Sequence, residues 1–138
     1  MPKIEVNKIQ PSIFPGITWF IISTILLILP GSAFPKENWL DKIWFDKWVH
    51  IGLFGIMVFL FGWGLLQSKK DRQQLKRNFL SIALVCLTYG IIMEFIQDNF
   101  IPNRSFDYGD IIADFVGCLA GWRLINKVAW SYIKNKPL

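Results

Sequence analysis

At 138 residues the chain is the size of one domain, with 53% hydrophobic residues, only 18% charged residues and a net charge of +5. A soluble domain carries about a quarter charged residues. Here the apolar residues come in long blocks, so composition speaks against a soluble fold and for an all-α polytopic membrane protein. The basic balance does not point to nucleic acid, because Lys and Arg sit between apolar blocks, where membrane orientation accounts for them.

A polar start with Lys3 and Lys8 leads, past Pro11, into the first apolar run, Ile17 to Leu29. That run is short for a span, which needs roughly 20 residues. With Gly31-Ser32-Ala33 behind it, it also fits a cleaved signal peptide. Extending it over 14–34 restores a spanning length and favours a retained helix. Trp39, Leu40, Ile43, Trp44 and Trp48 then recur at helical spacing among Lys42, Asp46 and Lys47. This pattern predicts a short helix in the headgroup layer, with the tryptophans as an aromatic belt. Further spans are expected at about 49–66, 78–96 and 109–130. The whole, 1–138, is one integral membrane domain: a compact bundle of four transmembrane helices with a short interfacial helix before the second. Cys86 and Cys118 lie inside apolar runs, and neither a disulfide nor a metal site follows from them.

Lys and Arg concentrate in the N-terminal tail, in the connection Lys69 to Arg77, and in the C-terminal stretch Arg123 to Lys136. The alternate side holds Lys36, Lys42, Lys47 and Arg104, offset by Glu37, Asp41, Asp46, Asp98, Asp107 and Asp110. The positive-inside rule therefore puts both termini in the cytoplasm and the tryptophans and Arg104 at the outer face.

Ionisable residues at membrane depth mark a functional site by default. On the third span Cys86, Gly90, Glu94 and Gln97 share one helical face, and on the fourth Asp110, Asp114, Gly117 and Gly121 do. Packing these two helices through the small-residue stripe would gather Glu94, Asp110 and Asp114 just below the surface. Asp46 and His50 stand one turn apart, a spacing at which a carboxylate can orient an imidazole, with Lys47 beside them. Asp107 is a candidate cap for the last helix, and Asp110 lies near the positive end of its dipole. The bland alternative is that these charges neutralise one another and fix the bundle.

The combination Asp46-Lys47-x-x-His50, Glu94-x-x-Gln97, Pro102-Asn103-Arg104-Ser105-Phe106-Asp107, Gly109-Asp110 and Gly117-x-x-x-Gly121 resembles the VanZ-like family of small membrane proteins, named after a member associated with teicoplanin resistance. The resemblance covers roughly residues 40 to 125. It implies four spans in a bacterial cytoplasmic membrane and a functional role for Asp46, His50, Glu94, Gln97, Arg104 and Asp110. Asp114 stands where the family pattern leads one to expect Asn.

Two functions follow as expectations. In the first, Arg104 and Lys47, with Gln97, Asp107 and Asp114 around them, bind the anionic headgroup of a membrane lipid or lipid-linked envelope precursor and alter glycopeptide susceptibility. In the second, His50, Asp46, Glu94 and Asp110 are catalytic, in an intramembrane hydrolase or transferase working on a polyprenyl phosphate or phospholipid headgroup. No cofactor is required by the first. In the second, Glu94, Asp110 and Asp114 could hold a divalent cation. Transport ranks third, since four short spans enclose little volume and no internal repeat is visible. A homo-oligomer stays open.

Overall fold

The structure is a computed structural model that describes residues 11–34, 38–68 and 71–134. Lys3, Lys8, Lys36, Glu37, Lys69, Lys70 and Lys136, used above to orient the chain, lie outside the described residues. The described chain is all-helical: α1 Phe14–Ile28, a 3-10 turn Gly31–Ala33, α2 Asn38–Lys42, α3 Phe45–Leu65, α4 Arg72–Phe100 and α5 Tyr108–Lys134.

Local chemistry sets the helix ends. Pro15 stands in the first turn of α1, where a missing N–H costs nothing. Leu29 and Ile101, each just before a proline, are extended and end α1 and α4. Asp71 caps α4 by accepting the Gln74 N–H at 2.8 Å. The tryptophan-rich stretch does not run on as one helix. It breaks at Trp44, which adopts a left-handed backbone with φ of 52°, and α2 and α3 diverge there. A bulky residue in that region is strained.

Two helices, α3 and α4, are long and apolar enough to cross a membrane. The first segment is shorter than expected. α1 stops at Ile28 and not at 34, because the chain turns extended ahead of Pro30. Its 15 residues rise about 22 Å, less than the roughly 30 Å hydrocarbon core. α5 has the length, at 27 residues, but carries charged residues toward both ends. Among the described residues four helices of 15 residues or more are present, and two of them, α3 and α4, have the apolar length a span needs. Large apolar side chains such as Ile21, Val85, Ile112 and Phe115 face outward, the surface a lipid environment tolerates and water does not.

The tightest packing joins α3 to α5. Extra atoms at Gly117 would strike the Ile51 carbonyl, and at Gly121 the Gly55 carbonyl. The small stripe of α5 therefore lies on α3, not on α4 as the sequence suggested. α4 meets α5 one face over, where Gly90 leaves room for the Asp114 carboxylate. Behind this contact a core of Leu53, Phe54, Met57, Val58, Ala83, Cys86 and Met93 fills the bundle. α1 lies across α3 and α4, tied by Trp19 Nε1 donating to the Leu53 carbonyl at 2.9 Å and by Thr24 meeting the Tyr89 hydroxyl at 2.8 Å.

Candidate functional site

This topology brings the end of α1, the start of α3, the end of α4 and the start of α5 to one end of the bundle. Gln97 Nε2 donates to the Leu27 carbonyl at 2.8 Å, and the Gly31 N–H donates to the Pro102 carbonyl at 3.2 Å. The connection after α4 thus seals against the exit of α1. Asn103, with φ of 58°, makes its tight turn, and Asp98 braces it by accepting the Phe106 N–H at 3.1 Å.

Two linked clusters occupy that end. In the outer one, the Lys47 ammonium donates to Asp46 at 2.8 Å, to Asp110 Oδ1 at 2.6 Å and to Asp107. Asp107 also caps α5, its Oδ1 accepting the Gly109 N–H at 2.6 Å. The Lys47 hydrogen bond holds the Asp107 carboxyl below the usual carboxylate range, with further support from the Gly109 N–H. A Cβ at Gly109 would meet the end of the Lys47 side chain and the Asp107 carboxylate, so one of them would have to shift.

In the inner cluster His50, Glu94, Asp110 and Asp114 are all buried. His50 Nδ1 lies 2.8 Å from Asp114 Oδ1, and its Nε2 lies 3.7 Å from Asp110 Oδ2. With Asp114 ionised its carboxylate accepts, and His50 Nδ1 is the donor of that bond. The residue that orients His50 is therefore Asp114 on a neighbouring helix, while Asp46, its one-turn neighbour in sequence, turns to Lys47. Among the described residues Glu94 pairs with no cation directly. Its Oε2 accepts the Asp107 N–H at 2.9 Å, and its Oε1 is buried without a hydrogen-bond partner among the described residues.

Beside the clusters opens a cavity of about 420 Å³ between α1, α3 and the two connections. Leu26, Leu27, Val49 and Leu53 give it apolar walls, and Asp41, Asp46, His50, Asn103 and Arg104 give it polar ones. The Arg104 guanidinium sits 4.9 Å from the Phe34 ring centre, and its Nε reaches the Leu29 carbonyl at 3.5 Å. Among the described residues no carboxylate lies within ion-pair distance of it.

Seven of the nine residues expected at the site, Asp46, Lys47, His50, Glu94, Asp107, Asp110 and Asp114, form these linked clusters. Arg104 joins through the cavity wall it shares with His50 and Asp46. Gln97 stands apart, engaged in holding α1. Asp41 and Phe34 also line the cavity and had no motif to announce them, since their place depends on the break at Trp44 and the turn after Pro30.

The VanZ/LLP1 family model matches residues 9–130. An uncharacterised protein of the fission yeast Schizosaccharomyces pombe, C11E3.10, is similar, with 31% identity over 103 residues, covering 74% of this chain and 54% of that protein. The chain thus spans about half the length of the curated relative it matches. No solved structure matches. Since the matched region takes in α1, α3, α4, most of α5 and both clusters, the resemblance read from the motifs holds: the chain belongs to the VanZ/LLP1 family.

Proposed function

We propose that this chain is a membrane-embedded binding protein whose cavity takes the phosphate-bearing headgroup of a membrane lipid or lipid-linked envelope precursor. One observation carries the reading. Arg104 stands in a 420 Å³ cavity with apolar walls, its guanidinium free of carboxylates among the described residues. Pockets of this size hold small ligands, and guanidinium matches phosphate through paired hydrogen bonds. Lys47 serves indirectly, since three carboxylates already share its ammonium. In this reading four segments cross the membrane with both termini cytoplasmic, the first being α1 together with the apolar residues that follow it to Phe34, and the cavity opens at the outer face of the bacterial cytoplasmic membrane. Holding precursors there is how it would change their exposure to glycopeptides.

The test is the lipid content of cells with wild-type protein, with Arg104→Ala and without the chain, alongside glycopeptide binding to the same cells. Drug binding that falls with the wild type and recovers with Arg104→Ala is expected, with lipid species unchanged. Drug binding indifferent to Arg104 would contradict the reading.

A second reading rests on His50 and its Asp114 partner, the arrangement that positions an imidazole for proton transfer. A hydrolase or transferase acting on a polyprenyl phosphate or phospholipid headgroup follows from it. A lipid species that appears or disappears in wild-type cells but not in His50→Asn cells would favour this reading over simple binding.

A further inference from the structure

We propose that His50, Glu94 and Asp110 form a divalent-cation site, with Asp114 behind His50 as its positioning residue. One ligand atom from each of the three lies within 4.8 Å of the others, although they come from three helices and 60 residues of sequence separate the first from the last. When His50 Nδ1 donates to an ionised Asp114, Nε2 is the ring nitrogen left to ligate, and it lies 3.7 Å from Asp110 Oδ2. That distance is too long for a hydrogen bond. It is close to the roughly 3.4 Å that separates two ligands on a tetrahedral ion with bonds of about 2.0–2.1 Å. A carboxylate on the far nitrogen of a ligating histidine is the usual support of such sites.

A second observation, independent of the acidic grouping, comes from Glu94. It is 1% exposed, its Oε2 is satisfied by the Asp107 N–H, and its Oε1 has no partner among the described residues. A buried carboxylate oxygen without a partner is costly, and Glu94 is one of the three converging residues, so a cation bound through Oε1 would remove that cost. Charge agrees. The linked clusters hold the carboxylates of Asp46, Glu94, Asp107, Asp110 and Asp114 against the single ammonium of Lys47, which takes Asp110 Oδ1 and leaves Oδ2 free. The other acidic trio, Asp46, Asp107 and Asp110, already surrounds that ammonium and is no cation site. One nitrogen and two oxygen donors favour Zn2+ or Mn2+ over the all-oxygen preference of Ca2+ and Mg2+. Three protein ligands leave coordination open toward the cavity that His50 lines.

The site stands beside the headgroup reading and does not rest on it. Full-length protein in detergent is stripped with chelator, equilibrated separately with Zn2+, Mn2+, Mg2+ and Ca2+ salts, and its metal content measured. About one Zn2+ or Mn2+ per chain is expected, with far less Mg2+ or Ca2+. Glu94→Gln, which keeps an acceptor for the Asp107 N–H, and His50→Ala abolish binding. Asp114→Asn weakens it by about 10–100-fold, and Asp71→Asn at the opposite end leaves it intact. Wild-type protein that takes up no ion, or Glu94→Gln protein that binds as well as wild type, would overturn the proposal. Should the variants not fold, X-ray absorption of zinc-loaded wild type decides. An imidazole among oxygen ligands supports the site, and sulfur or purely oxygen coordination overturns it. Arg104→Ala, assayed with the same metals and with polyprenyl-phosphate vesicles, separates the two ideas. It should keep the ion and lose the lipid.

Discussion

Asp107 does two jobs with one carboxylate, capping α5 through Gly109 and accepting from Lys47. Because Lys47 holds its folded-state pKa below the ordinary 3.8, Asp107 contributes stability that is present above that ordinary value. The contribution is lost as pH falls through the lower folded value. As pH drops below the ordinary 3.8, thermal stability should therefore fall more steeply for wild type than for Asp107→Asn. Parallel profiles would show that the Lys47 contact does not form. Lys47 itself is the counter-ion of three acids, one of them buried, and Lys47→Met should destabilise by roughly 1–3 kcal/mol. Adding Asp110→Asn should recover part of that loss, because the charge left unpaired is then gone. A double-mutant cycle in denaturant reads the coupling, and strict additivity would mean that the two do not interact.

At the scale of elements, helical spacing in the sequence showed which residues share a face. It grouped Glu94 with Gln97 and Asp110 with Asp114, and those groupings hold. It could not show which neighbour each face meets. The Gly117/Gly121 stripe packs on Gly55 of α3, and His50 takes its carboxylate from α5, because two helices that approach this closely bring their facing side chains into register. The ends of α1 and α2 were equally hard to read. Pro30 ends α1 early, and the left-handed Trp44 breaks a run whose apolar spacing alone looks continuous. Gly117→Val forces a side chain into the Ile51 carbonyl and should cost about 1–3 kcal/mol or more. Ala120→Val, on the exposed face, should cost little. Unfolding midpoints of the two in the same detergent make the comparison, and equal midpoints would show that the α3–α5 approach is looser than described.

For the whole molecule, family membership, two helices able to cross a membrane and an outward apolar surface all suggest a membrane protein. The linked clusters lie at one end of the bundle, and Arg72, Lys76 and Arg77 at the start of α4 lie at the other. Cysteines placed at Gln73 and at Asn103 should therefore label from opposite sides of the membrane with an impermeant reagent. Buried Cys86 and Cys118 should give little background. Labelling of both from one side would overturn the four-span reading. The cavity itself was not legible in the sequence, since its walls come from α1, α3 and two connections whose mutual placement no spacing encodes. Arg104 was legible as a charge at a membrane boundary, the kind of residue that is costly to keep without a purpose.

The most direct measurement is native mass spectrometry of the full-length chain with polyprenyl phosphate, the matching neutral polyprenol, and a phospholipid, for wild type and Arg104→Ala. A phosphate-dependent adduct on wild type that weakens by about 10-fold or more in Arg104→Ala is the expected result, the loss of one charge-assisted contact to phosphate. Equal binding of phosphate and polyprenol, or an adduct unaffected by Arg104→Ala, would contradict a headgroup site built on this arginine.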